Sequence, residues 1–272
     1  MVRNLPRGPD RPQAWADRLH RQSTHVPLRR LYAGPMWQSA LSLEARAADL
    51  GYDVDLWVVS AGVGLSRADA TSPAYSASFS AGPDQVAAEP AGRLAWWAEL
   101  GRVSLFGRAP TELSNVRKEA DEVLIALSPA YLEALAGELQ HFAGDEGVAT
   151  MSSHTPSRRS PVSSQGLRQS LGGTQITLNA RAAAKYLEVA GGVPLGSEEA
   201  HTRWSTWAGG NRRREAEARP RLDDAEVRHF IATGLLAGTT SRTRLLTELR
   251  RSGLACEQSR FARLYTEVQE SQ

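Results

Sequence analysis

The chain has a single cysteine, Cys256, in 272 residues. That excludes an internal disulfide, a four-cysteine zinc site and an iron–sulfur cluster, and it removes the C-x-x-C pair that zinc deaminases require. Lysine is nearly as scarce, with Lys118 and Lys185 standing against 30 arginines. A lyase working through a Schiff base needs an amine, which only these two lysines or the N-terminus could supply, so hydrolytic chemistry is favoured over amine chemistry. No run approaches the roughly eighteen apolar residues of a membrane span, and MVRNLPRGPDRPQAW lacks the apolar core of a signal peptide. A soluble protein of the reducing cytoplasm, without a membrane partner, is expected. No G-x-x-x-x-G-K-[ST] loop is present, and GVGLSR is too short for a dinucleotide fingerprint. The expectation is a protein without NTPase activity and without a cofactor or metal.

What is present is arginine, placed unevenly. A net charge of only +2 means that any surface for nucleic acid must be a local patch. The strongest candidate is GVATMSSHTPSRRSPVSSQGLRQSLGGTQITLNARAAAK, read as a strand, a long loop and a helix. From His154 to Lys185 it carries Arg158, Arg159, Arg168, Arg181 and Lys185 and no acid. Ser152, Ser153, Ser157, Ser160, Ser163 and Ser164 add hydroxyls, while Gly172 and Gly173 would let backbone amides approach an anion. Arg181 is expected in the first helical turn, where the dipole disfavours a cation and a phosphate would offset the cost. Asn179, beside it, either reads a base edge or caps the helix.

Strand and helix patterns alternate along the first two thirds of the chain. LYAGPMWQSALSLEARAADLG reads as a loop feeding a helix that stops at Gly51, and VDLWVVSA as a strand covered on both faces. Residues 63–90 read as a polar loop, AGRLAWWAELGRVSLF as a helix, EADEVLIALSPAYLEALAGELQHF as a strand and helix, and GVATMSS as a third strand. This order predicts an α/β domain with a three-layer, doubly wound parallel sheet over residues 1–190. Ligands of such sheets gather beyond the strand C-termini, so Ser60 to Tyr75, Ser128 to Tyr131 and Ser152 to Arg159 are expected to meet in one crevice. Residues 191–221, with GGVPLG, AGGN and Arg212, Arg213 and Arg214, read as a basic linker. Residues 222–272 show three helical patterns, with Ser241 a candidate cap, and resemble a helix-turn-helix or winged-helix module. From Arg212 to Tyr265 there are 12 arginines and seven acids, which adds Arg212, Arg213, Arg242 and Arg244 to the expected DNA contacts. A helical packing domain with a solvated charged face is the alternative.

Leu31, Tyr32, Gly34, Ser60, Ala61, Gly64, Leu65, Pro73 and Tyr75 form a pattern that resembles an uncharacterised bacterial family with an LY-x-G turn, a helix, a strand ending in SA-x-x-GL and a PY-type loop. Members of that family are often found near phage-defence or DNA-modification genes. Two departures stand out. The family opens on a strand bearing a cysteine, which here is either lost or lies before a late start codon. Ser76 also occupies the place of an acid. The stretch SSHTPSRRSPVS is similar to the His-Pro-Ser loop of the uracil-DNA glycosylase superfamily, with Thr155 inserted, which implies a base-contacting His154 and phosphate-holding serines. Size, arginine content and the C-terminal module also resemble anti-phage DNA glycosylases that remove glucosylated hydroxymethylcytosine.

The resemblance implies base flipping and hydrolysis of an N-glycosidic bond in double-stranded phage DNA carrying modified bases, leaving abasic sites as antiviral defence. Such chemistry needs a carboxylate, hydrogen-bond donors and an aromatic wall. Asp69, in the loop after SA-x-x-GL, is the first candidate to orient water or stabilise the sugar cation, followed by Asp53 and then Asp55, while His154 would polarise the base. Tyr32, Trp37 and Tyr75 could stack on a flipped base, with Gly34, Ser60 and Asn179 lining the pocket, although each aromatic is equally a candidate core residue. A non-catalytic DNA-binding sensor of modified bases and a nucleoside-processing enzyme are the competing readings. If the acid-free segment holds phosphates, replacing both Arg158 and Arg159 by Ala weakens DNA binding across sequences and flattens its salt dependence between about 50 and 200 mM. Isotherms that do not change would remove the inference.

Overall fold

Proline opens four of the described helices, at Pro12, Pro35, Pro90 and Pro129, because its fixed φ suits the first turn and its missing N–H would have had no partner there. The computed structural model describes residues 1–5, 8, 10–106, 111–151, 163, 165–211, 222–238 and 241–270. In chain order the elements are α1 (Arg11–His20), β1 (Val26–Pro27), α2 (Leu28–Leu31), α3 (Pro35–Asp49), β2 (Trp57–Ser60), β3 (Gly64–Arg67), β4 (Thr71–Ser72) and α4 (Pro90–Leu100). There follow α5 (Leu113–Glu119), β5 (Val123–Ala126), α6 (Pro129–Ala134), α7 (Ala136–Leu139), β6 (Val148–Met151), α8 (Arg168–Leu171), α9 (Leu178–Ala190) and α10 (Glu198–Asn211). The last three are α11 (Asp224–Leu236), α12 (Arg242–Arg251) and α13 (Gln258–Glu270). The chain is a mixed α/β protein dominated by helices, and it divides into units of residues 1–213 and 214–272. Among the described residues no helix is long and apolar enough to cross a membrane.

The parallel pair is the part of the expected sheet that forms. β5 and β6 run in register from Val123↔Val148 to Ala126↔Met151. Alternate residues of β5 enter different cores. Val123 and Ile125 pack with Trp96, Trp97 and Leu132, while Leu124 and Ala126 pack with Met151, Tyr186 and Trp204. Burial on both faces explains the unbroken VLIA run.

The strand expected from VDLWVVSA takes a different partner. β2 turns back on itself and pairs antiparallel with β3, from Trp57↔Arg67 to Ser60↔Gly64, within residues that read as loop. Gly64 makes this possible with a φ of 70°, a left-handed conformation that costs glycine little. The described residues hold three two-stranded sheets, β1 with β4, β2 with β3 and β5 with β6, and no ladder joins β2 to β5. The continuous doubly wound sheet is therefore absent among them.

The linker expected over residues 191–221 is also corrected. Its first part contains α10, whose Ala200, Trp204 and Ala208 are buried against Ala183, Tyr186 and Leu187 of α9. Trp204 is 2% exposed, stacks on Trp207 at 5.1 Å and meets the edge of Tyr186 at 5.7 Å. Apolar residues at i, i+4 and i+8, Ala200, Trp204 and Ala208, mark the buried stripe that glycine-rich flanks concealed. In the second unit α11, α12 and α13 enclose Val227, Ile231, Leu245, Leu249, Phe261 and Leu264. Ser241 caps α12 by accepting the Arg244 amide, as expected.

Trp204→Ala should cost about 3–5 kcal/mol, the usual price of emptying a large aromatic site. Urea unfolding followed by circular dichroism measures it; a change under 1 kcal/mol, roughly what an exposed linker residue would give, contradicts this packing.

Candidate functional site

Hydroxyl groups from three separate segments meet at the end of β2. The Ser60 hydroxyl accepts the backbone amides of Gly62 at 3.0 Å and Val63 at 3.3 Å. With both lone pairs engaged, its proton goes to the Tyr75 hydroxyl 2.6 Å away. Tyr75 then donates to Tyr32, whose hydroxyl touches it. The relay runs in one direction and leaves the Tyr32 O–H as the donor at its end. Burial raises the pKa of both phenols, that of Tyr75 well above the ordinary value. Both therefore stay protonated at neutral pH and act as donors.

The turn beneath this relay is held from below. The Trp15 indole donates to the Gly62 carbonyl at 2.7 Å and the Trp96 indole to the Ala61 carbonyl at 2.8 Å. A β-carbon on Gly62 would lie 2.3 Å from the Tyr75 ring, so glycine is required there by close approach. Trp37 tilts against Tyr32 at 5.3 Å between centroids and donates its indole N–H to the Arg29 carbonyl at 3.1 Å. Tyr131, at the start of α6, meets Phe79 edge-on at 5.1 Å, and its field reaches both Tyr32 and Tyr75. Two of the three segments expected to meet are thus together. The third, with Ser152, Ser153, His154, Arg158 and Arg159, lies outside the described residues, as do Arg212 and Arg213.

The candidate carboxylates stand apart from the relay. Asp69 accepts from Arg29 Nε at 3.1 Å with its side chain 73% exposed, and the same guanidinium holds Glu44 through two contacts of 2.6 and 2.7 Å. Those two acids raise the Arg29 pKa, which fixes its charge. Asp69 therefore reaches the aromatic group only through Arg29 and Trp37. Asp53 is exposed ahead of β2, at the far end of the strand from Ser60, and Asp55 is paired with Arg67.

Several expected contacts have internal uses. Gly34 is the N-cap of α3 with a φ of 90°. Asn179 lies one residue inside α9 and caps nothing: its amide donates to the Leu127 carbonyl at 2.5 Å and its oxygen accepts from the buried Ser163. The turn before α9 is capped instead by Thr174 and Thr177 in a capping box. Gly172 and Gly173 have φ values of 72° and 75°, and a β-carbon on Gly173 would strike Arg181 Nε at 2.5 Å, so the glycines make room for that guanidinium. Arg181 is exposed and bonds the Leu171 carbonyl at 3.4 Å, while Lys185 is paired with Glu188 at 2.7 Å. Arg168 and Arg242 are exposed, and Arg244 is exposed and paired with Glu248 at 3.2 Å.

Trp15, Trp96, Arg29 and Glu44 escaped the sequence reading. A signal for Trp15 was there, in Pro12, Trp15, Ala16 and Leu19 at helical spacing. Nothing local marks Arg29 with Glu44.

Four of the six tyrosines, Tyr32, Tyr52, Tyr75 and Tyr186, have pKa values raised first by burial, with Tyr186 at about 12. A phenol with a raised folded pKa stabilises the fold fully below its unfolded value near 10, and that contribution is lost as pH rises beyond it. Absorbance at 295 nm should therefore titrate in two phases, and the melting temperature should fall above about pH 10. A single phase centred near pH 10 would contradict the buried relay. No family model matches the chain, and comparison with curated proteins and with solved structures finds no relative.

Proposed function

We propose that the protein is a monofunctional DNA glycosylase that hydrolyses the N-glycosidic bond of a modified base, with glucosylated hydroxymethylcytosine in phage DNA as the expected substrate. The observation that carries this reading is the meeting of Tyr32, Trp37, Ser60 and Tyr75 at one strand end. An aromatic face and a fixed hydroxyl donor are what a flipped base with a sugar decoration needs. Tyr32 is the donor at the end of the relay, and Tyr75 and Ser60 orient it. In this reading Asp69, held by Arg29, serves at the rim as the acid that directs water, and α12 is the helix that grips duplex DNA. Arg242, Arg250 and Arg251 of α12 are exposed while its Leu245, Leu246 and Leu249 are buried, which supports that role. The parallel β5–β6 pair, with α9 packed against it, would be the centre of a glycosylase-like layered domain.

One observation favours a second reading. Neither Asp69 nor Asp53 touches the relay, which suits a sensor that recognises a modified nucleotide without cutting it. Incubation of the protein with phage DNA containing glucosylated hydroxymethylcytosine, and with the unmodified genome, separates the two. The expected outcome is free modified base detected by mass spectrometry and alkali-labile sites in the modified genome only. Tyr32→Phe should slow release about a hundredfold, the scale for losing one oriented donor. Tight binding without any released base would establish the sensor in place of the enzyme.

A further inference from the structure

The β2–β3 hairpin borders a cavity as well as the hydroxyl relay. Residues directly opposite in an antiparallel pair share a face, so Trp57, Val59, Leu65 and Arg67 lie on one side and Val58, Ser60 and Ser66 on the other. Ser60 carries the hydroxyl relay. Trp57, Leu65 and Arg67, together with Gly64 and Ser66, border a cavity of about 530 Å³ that none of Tyr32, Ser60, Tyr75 or Asp69 lines. The cavity also takes in Leu94 and Trp97 of α4 and Glu138 of α7. Its volume is in the range of small-molecule sites, and its walls are mostly apolar.

Its lining carries Arg67, Arg102 and His141 as basic residues and Glu112 and Glu138 as acids. Arg67 is neutralised by Asp55, and Arg102 by Glu99. Glu138 has no cationic partner among the described residues; its two oxygens accept from the Trp97 indole N–H at 2.5 Å and from the Leu113 amide at 2.6 Å. Those neutral donors fix the carboxylate in place without a salt bridge among the described residues. Glu112, which also lines the cavity, has no cationic partner among the described residues either. A fixed carboxylate in an aromatic wall selects a cation, and the apolar remainder selects a flat hydrocarbon body.

We infer that this cavity is a second binding site, separate from the hydroxyl relay, for a small organic amine whose ammonium meets Glu138 and whose aromatic or aliphatic body packs on Leu65, Leu94 and Trp97. It does not depend on the glycosylase reading, since no member of the hydroxyl relay lines this cavity.

Phenethylamine is a suitable probe, with phenylacetate as its anion of matched shape. Trp57 and Trp97 line the cavity, so intrinsic fluorescence reports occupancy, and calorimetry on the full chain gives the affinity. Saturable binding of phenethylamine with no binding of phenylacetate is expected. Glu138→Gln should weaken binding about tenfold or more, the usual scale for a lost charge-assisted hydrogen bond. Ala98→Trp, at an exposed position of α4 that borders the cavity, should produce a comparable loss without disturbing the core. No saturable phenethylamine signal up to millimolar concentration, equal binding of phenylacetate, or unchanged affinity in Ala98→Trp overturns the inference.

Discussion

The Ser60 hydroxyl is the group on which the arrangement around β2 depends. It accepts two amides of the turn that follows it and passes its proton to Tyr75, so one oxygen closes the hairpin and orients the phenols. Tight turns of this kind leave carbonyls pointing outward, and Trp15 and Trp96 satisfy two of them from different helices. Those indoles tie α1 and α4 to the hairpin, and the same helices supply the largest side chains of the first core. Position, hydrogen-bond direction and packing are therefore set together. The Tyr32 donor is rigid because everything behind it is satisfied.

Charge follows a different logic. The chain is rich in arginine, but much of that arginine is used internally. Arg29 holds Glu44 and Asp69, Arg93 holds Glu133, Arg117 holds Asp145, and Arg260 and Arg263 share Asp224. Arg93 is buried, but the other pairs lie at the surface and contribute little stability each, so their effect is mainly to remove positive charge from the surface available to a polyanion. In the second unit Arg228 and Arg263 are balanced by Glu267, which leaves a narrower basic face than the arginine count suggests. Arg242 at the start of α12 and Arg250 and Arg251 at its end belong to that face.

Local patterns were legible wherever neighbours in sequence decide the outcome. The proline and glycine bounds of α3, the VLIA strand followed by a helix, and the Ser241 cap follow from rules that act within a few residues. Tyr32, Ser60 and Tyr75 stand in one short pattern of the sequence, and Trp37 was a separate candidate for stacking. The hairpin partner of β2 was not, because an apolar run reads alike whether it joins a parallel sheet or folds back on a polar segment. α10 was hidden because glycines and arginines around it look like a linker, and only its packing on α9 reveals the buried stripe.

By itself the sequence determined the bounds of α3, the parallel strand pair, the lack of an internal disulfide or C-x-x-C pair, and a tyrosine–serine group worth attention. These rest on composition and on spacings a few residues long. The tertiary structure alone decided that Asp69 answers to Arg29, that Asn179 is bound to Leu127 and Ser163, and that Gly173 leaves room for the Arg181 guanidinium. Hydrogen-bond acceptors and charges find partners by distance in space, and 40 residues separate Arg29 from Asp69 and 52 separate Leu127 from Asn179. No local rule carries information across such separations.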